Sequence, residues 1–217
     1  VKVRLIDCVG YTVKGSLGLE ENGSARLIKT PWQDEPMPFE KAAEYGTEKV
    51  VKEHSTIAVV VTTDGSFTDI ARDSYAEAEE RVIDELKQIG KPFIVLLNVS
   101  DPESEKSVAL GKKIEEKYGA KVVVKNAEKL TAEDIDELLA GVLLEFPVRT
   151  ACVVTPDWMR TLDEDNRLIA PLLGAIKANL SSVVKMGDYR KIEKKIEELD
   201  FVAAASSELD LGEGSIS

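Results

Sequence analysis

The stretch TIAVVVTTDGS, residues 56–66, decides the fold. Its apolar run from Thr56 to Thr63 is continuous rather than alternating, as in strands buried on both faces of a parallel sheet. Asp64-Gly65 then marks a turn at the carboxyl end. Reading outward, Tyr75, Ala78, Val82, Ile83 and Leu86 share one helical stripe, with Ser74 and Glu77 at capping-box spacing and Gly90 as the stop. A second buried strand follows at Pro92 to Leu97, then a helix from Glu103 to Tyr118 stopped by Gly119. A strand from Lys121 to Lys125 precedes a helix capped by Thr131, whose apolar stripe is Ile135, Leu138, Leu139, Val142 and Leu143. On the amino-terminal side, Phe39 to Glu53 has helical spacing. Gly10 to Pro38 is rich in Gly, Pro, Asn and charge and reads as an extended loop, and Val1 to Asp7 reads as a short apolar strand. The βαβα alternation predicts an α/β fold, a doubly wound, mostly parallel sheet with helices on both faces.

The pattern changes around Phe146-Pro147. A short β-prone piece (Ala151 to Val154), a long helical stretch from about Leu162 to Lys185, a charged helix at Tyr189 to Leu199 and a strand-like run from Phe201 to Leu211 follow. The expected division is therefore 1–148 and 149–217, the second region being a smaller α+β unit that reads as cut off after the Gly212 and Gly214 turn.

Composition narrows the class. The 217 residues are 43% hydrophobic and 31% charged, as in a globular protein, and no apolar run approaches the roughly 20 residues of a membrane span. Cys8 and Cys152 have no metal-type spacing and indicate no disulfide scaffold, which fits a reducing, cytoplasmic setting. A net charge of -12 with Lys and Arg interleaved among Glu argues against nucleic acid as a partner.

The sequence LIDCVG holds an Asp-x-x-Gly at Asp7 to Gly10. In doubly wound sheets, ligands lie at the carboxyl ends of strands. A carboxylate there can hold Mg²⁺, usually through water, while a nearby backbone N–H meets a terminal phosphate. Asp7 and Gly10 suit those roles. The same four residues also suit a turn in which Asp bonds backbone N–H groups and Gly supplies the bend.

Longer stretches favour one reading. The runs LIDCVGYTVKGSLG (5–18), TPW (30–32), EKAAEYGTEKVVKEHSTIAVVVTTDGS (40–66), IARDSYAEAEERVIDELKQIGKPFIVLLN (70–98) and LLEFPV (143–148) resemble the stage IV sporulation protein A family, spore-coat morphogenetic ATPases of endospore-forming Firmicutes. The resemblance implies a divergent P-loop NTPase of the translation-factor class, with a P-loop-NTPase-type sheet that here lacks its first strands and continues into part of a middle domain. It implies ATP and Mg²⁺ as ligands, Asp7 as the Walker B aspartate, and ATP-driven self-assembly into the basement layer of the spore coat. The implied place is the mother-cell cytoplasm, at the forespore membrane surface. Docking there would use a small amphipathic anchor peptide, with other coat proteins as further partners.

The departures from that pattern are specific. No G-x-x-x-x-G-K-[ST] loop occurs, so the phosphate-binding Lys and the Mg²⁺-binding hydroxyl are missing. The chain therefore reads as an internal fragment holding half a site, with a gap beside the strand that ends at Asp64. The expected outcome is instability, or pairing of Val1–Asp7 with Ile57–Thr63 or with a second copy. Tyr11 stands where many relatives in the class carry the water-orienting Gln. Asn98-Val99-Ser100-Asp101 keeps both ends of the guanine-reading Asn-Lys-x-Asp motif but not its Lys, in line with a preference for ATP. Asn98 and Asp101 are candidate nucleotide contacts on that basis. Asp101 before Pro102 also reads as a helix N-cap. Asp64 fits either the nucleotide site or a turn. His54, the single histidine, reads as a residue at a helix end, and Trp32 and Trp158 as packing residues or assembly contacts.

Overall fold

The computed structural model describes residues 3–21 and 23–217, in two compact units, the first through Leu138 and the second from Leu139. The first unit is built on a three-stranded parallel sheet, β5-β6-β7. Before it come two hairpins: β1 (Glu20–Glu21) with β2 (Ser24–Ala25), and β3 (Leu27–Thr30) with β4 (Gln33–Pro38). These hairpins replace the extended loop expected over Gly10–Pro38. Pro36 and Pro38 are tolerated because β4 has only one neighbour among the described residues and lies at an edge.

Helix α1 (Phe39–Lys49) follows, continued by a wider π turn to His54. Then come β5 (Ala58–Thr63), α2 (Ala76–Gln88), β6 (Phe93–Asn98), α3 (Glu105–Tyr118), β7 (Val122–Lys125) and α4 (Ala132–Leu143). The alternation read from the sequence is thus present from residue 39 to 143. Its stop signals hold as well. Gly90, with φ +65°, closes α2: its N–H donates to the Lys87 carbonyl while the Lys91 N–H reaches back to Leu86. Gly119, with φ +63°, ends α3. At α4 the Thr131 hydroxyl accepts from the Asp134 N–H and Asp134 returns a bond to the Thr131 N–H, the expected cap.

The core lies where β6 meets the helices. Val60, Val95 and Leu97 from the sheet pack with Ile83 and Leu86 of α2 and Ile114 and Tyr118 of α3. Residue 111 must be Gly, since a Cβ there would stand 2.6 Å from Val124 Cγ2, so α3 approaches β7 as closely as backbone allows. Strand β6 is buried on both faces, as its unbroken apolar run predicts. Strand β5 is not. It ends the order of strands among the described residues, and only Val60 and Thr62 are covered while Val61 is 63% exposed. A buried-strand composition here describes a face that the described residues leave open.

Four local expectations are corrected. Residues 3–7 form no strand and do not pair with β5, and Leu5 is 89% exposed; Val1 and Lys2 lie outside the described residues. An apolar run of this length gains strand structure only from a partner edge, and among the described residues none reaches it. Ser74 and Glu77 make no capping box, because a 3₁₀ turn at Arg72–Tyr75 leads into α2 and Tyr75 takes the cap position without a side-chain bond. Asp101 is not the N-cap of α3. Ser104 is, its hydroxyl accepting from the Ser107 N–H at 3.2 Å, and Asp101 makes a tight turn to the Glu103 N–H instead. Trp158 is mostly exposed rather than packed.

The second unit holds a three-stranded sheet in the order β8 (Thr150–Ala151), β10 (Ser215–Ile216), β9 (Leu209–Asp210), β10 running parallel to β8 and antiparallel to β9. Between them, α5 (Ile169–Leu180) and α6 (Tyr189–Glu197) pack on each other, both shorter than the sequence patterns. The Gly212–Gly214 turn joins β9 to β10 as read. Asp188 accepts from the Val184 and Lys185 N–H groups and pairs with Lys191, and Lys185 forms a two-point bond to Glu145. Among the described residues no helix is long and apolar enough to cross a membrane.

Candidate functional site

Parallel strands place all three carboxyl ends on one edge, so the turns after β5, β6 and β7 meet there. After β5, Asp64 Oδ1 accepts from the Ser66 N–H (2.9 Å) and Thr63 Oγ1 from the Gly65 N–H (3.1 Å). Gly65 sits at φ +87°, and a Cβ there would meet the Ile70 carbonyl at 3.0 Å, so the turn admits no side chain. Ser66 Oγ accepts from the Ser100 N–H (3.0 Å), fastening the β5 turn to the β6 turn. Asn98 Oδ1 accepts from the Ala127 N–H (2.8 Å), and Asn126 Nδ2 donates to the Ser100 carbonyl (3.3 Å), fastening β6 to β7.

The structure therefore brings Asp64, Asn98 and Asp101 to one edge, where Asp64 and Asp101 each hold their own turn and Asn98 fastens the β6 turn to the β7 turn. Ser66, Ser100 and Asn126 escape the sequence reading. Asn126-Ala127 directly after a third parallel strand was the available signal, since Asn in such a turn bonds backbone groups.

Behind the β5 turn lies a charged cluster. Glu79 on α2, 5% exposed, takes a hydrogen bond from Thr62 Oγ1 (2.7 Å) and pairs with Arg72 at 2.8 Å, while Arg72 also donates to Thr62 Oγ1 (3.2 Å). Burial pushes the Glu79 carboxyl up, but the bonds from Arg72 and Thr62 outweigh it and the net shift is downward. The cluster anchors the 64–75 segment to β5 and α2.

Asp7 and Gly10 are held elsewhere, against α1. The Gly10 N–H donates to Thr47 Oγ1 (3.0 Å), with Gly10 at φ +80°. Thr12 Oγ1 donates to Glu40 (2.7 Å), the Tyr11 hydroxyl to Glu85, and the Arg81 guanidinium lies 4.8 Å from the Tyr11 ring centroid. Asp7 is exposed, and its carboxylate has no hydrogen-bond or ion-pair partner among the described residues. The turn reading, in which Asp7 bonds backbone N–H groups, is thus not what the structure shows. Asp7, Cys8, Thr30, Trp32, Phe39 and Thr47 line a mostly apolar cavity of about 330 Å³, and the Thr30 hydroxyl is buried without a hydrogen-bond partner among the described residues.

These residues fit part of a Mg²⁺-nucleotide. A free carboxylate at Asp7 suits a cation that keeps most of its water. Among the described residues no three His, Cys, Asp or Glu side chains gather as a fuller metal site, and the sequence carries no phosphate-cradling loop.

Comparison with known proteins agrees with this architecture. The family described as stage IV sporulation protein A, ATPase domain, matches residues 1–147. Stage IV sporulation protein A of Clostridioides difficile (strain 630) is 44% identical over 217 residues, all of this chain and 44% of the relative. That of Bacillus subtilis (strain 168) is 41% identical over 215 residues, 99% of this chain and 44% of the relative, and that of Bacillus anthracis is 40% identical over the same span. The chain thus spans less than half the length of these relatives, and no solved structure gives a significant match. With the family match covering its whole parallel-sheet region, the chain belongs to the stage IV sporulation protein A ATPase-domain family.

Proposed function

We propose that this chain is part of a sporulation ATPase: a protein that hydrolyses ATP with Mg²⁺ and self-assembles on the forespore surface, in the mother cell, as the basement layer of the spore coat. The observation that carries the reading is the family match over residues 1–147 together with an exposed Asp7, unpartnered among the described residues, in the Asp-x-x-Gly sequence. Asp7 would hold Mg²⁺ through water. Gly10 would offer its N–H to the terminal phosphate, and the Asp64, Asn98 and Asp101 edge would face the rest of the nucleotide once the Asp7–Gly10 segment leaves its place on α1. Bound Mg²⁺ would supply charge balance on the transferred phosphoryl group. The partners are other copies of the chain, coat proteins, and the membrane surface through a small amphipathic anchor peptide.

A second reading is a non-catalytic interaction module of the coat, and the occupied Gly10 N–H favours it. The two separate by experiment. The 217-residue chain lacks a phosphate-cradling loop, so millimolar Mg-ATP should leave its melting temperature nearly unchanged, because ligand stabilisation scales with concentration over Kd. A protein of the relatives' full length with a G-x-x-x-x-G-K-[ST] loop should hydrolyse Mg-ATP. A shift of many degrees in the 217-residue chain overturns the half-site reading. A full-length protein with no turnover leaves the module.

A further inference from the structure

Three successive residues after Asp7 are fastened to two helices. Gly10 is bonded by its N–H to Thr47 of α1, Tyr11 by its hydroxyl to Glu85 of α2, and Thr12 by its hydroxyl to Glu40 of α1. Arg81 of α2 lies over the Tyr11 ring, stands 3.5 Å from Glu85 and forks onto Glu44 of α1, which ties the two helices together at the same place. Thr47 is 3% exposed, so its hydroxyl loses a buried donor if the Gly10 N–H leaves. Burial and the Glu85 carboxylate push the Tyr11 phenol up, so it stays a donor throughout the physiological range. The Tyr11 hydroxyl therefore keeps its proton for the bond to Glu85 at neutral pH.

We propose that Thr47, with Tyr11, Glu85 and Arg81, forms a latch that holds the Asp7–Gly10 segment on α1 and α2 and that a terminal phosphate must open by taking the Gly10 N–H from Thr47. The inference rests on the nucleotide reading of Gly10 above and adds its regulation. One N–H cannot serve both acceptors at full strength. A phosphate oxygen, being charged, forms the stronger bond, whereas the Thr47 hydroxyl recaptures the N–H once the phosphate leaves. Because Tyr11 follows Gly10 directly, displacement of Gly10 pulls on Glu85 and Arg81, and the state of the phosphate is read out at the α1–α2 surface. Tyr11 stands where many relatives in the class carry a water-orienting Gln, and its hydroxyl is spent on Glu85. Its role is positioning.

Thr47→Val removes the acceptor and keeps the shape, and Thr47→Ser keeps the acceptor. In the full-length protein, Gly10 amide exchange should be faster in Thr47→Val and unchanged in Thr47→Ser. Thr47→Val should also bind a non-hydrolysable ATP analogue about two- to tenfold more tightly, the worth of one hydrogen bond, with ADP affinity unchanged. Tyr11→Phe should move the ratio of analogue to ADP affinity the same way. A melting curve checks the fold of each variant. An unchanged ratio, or equal changes for both nucleotides, overturns the latch. Exchange that responds to Thr47→Val in a protein that binds neither nucleotide overturns instead the nucleotide reading, and the latch with it.

Discussion

Asn in place of Asp7 should lower Mg-ATP turnover by the full-length protein by about a hundredfold or more, because the cation that balances charge on the transferred phosphoryl loses its anionic anchor. The same substitution should leave the melting temperature in place. Asp7 has no hydrogen-bond or ion-pair partner among the described residues, so Asn forfeits no bond that holds the fold. Had Asp7 been a turn residue bonded to backbone N–H groups, Asn would have served nearly as well and turnover would survive. Turnover, melting temperature and sedimentable polymer measured on one preparation separate the outcomes. Loss of both turnover and polymer supports an assembly driven by hydrolysis. Polymer without turnover supports the interaction module, and normal turnover by the Asn variant removes the role assigned to Asp7.

Arg72→Ala should destabilise the chain by about 3–5 kcal/mol, as removing one member of a buried ion pair does. Glu79 would keep its buried carboxylate and lose its charged partner, leaving only the neutral hydroxyls of Thr62 and Tyr118 beside it. The loss should depend on pH. In the wild type the folded Glu79 pKa is depressed, so its contribution is present above the unfolded carboxylate range and lost as pH falls from there through the lower folded value. In the variant, burial dominates and raises the folded pKa, so stability falls as pH rises through that value. The gap between the two proteins should therefore widen from about pH 4 to pH 7, as followed by denaturant unfolding at each pH. A constant gap would show that Glu79 does not titrate with folding. Because the cluster anchors residues 64–75, the Asp64–Ser66 turn should loosen along with it.

The sequence made the interior of the first unit legible and its margins less so. Unbroken apolar runs, helical stripes and Gly stops are local signals, and β6, α2, α3, β7 and α4 follow them. Strand β5 carries the same composition as β6 but one open face, because burial depends on what packs from elsewhere and not on the strand itself. Segment 3–7 failed for the same reason: its apolar residues indicate a strand that only a neighbouring edge could complete. The hairpins within 20–38 were hidden by Pro and Gly, which signal turns without saying what the turns connect. At the site, Asp64, Asn98 and Asp101 were legible from their position after strands. The Thr62–Arg72–Glu79 cluster and the Thr47 bond to Gly10 were not, since they join residues 17 and 37 positions apart and leave no periodic trace.

The small sheet of the second unit has a kinetic consequence. Two residue pairs join β8 to β10, Thr150 with Ser215 and Ala151 with Ile216, so almost the whole length of that unit must be closed into a loop before either pair forms. The entropy of that closure is lost before the bonds return anything, whereas α5 and α6 need only a short connection to meet. The helical pair should therefore assemble early and the sheet zip last. In pulse-labelled refolding, amides of α5 and α6 should gain protection ahead of Cys152 and Ser217, whose N–H groups bond across the finished sheet, and simultaneous protection would contradict that order.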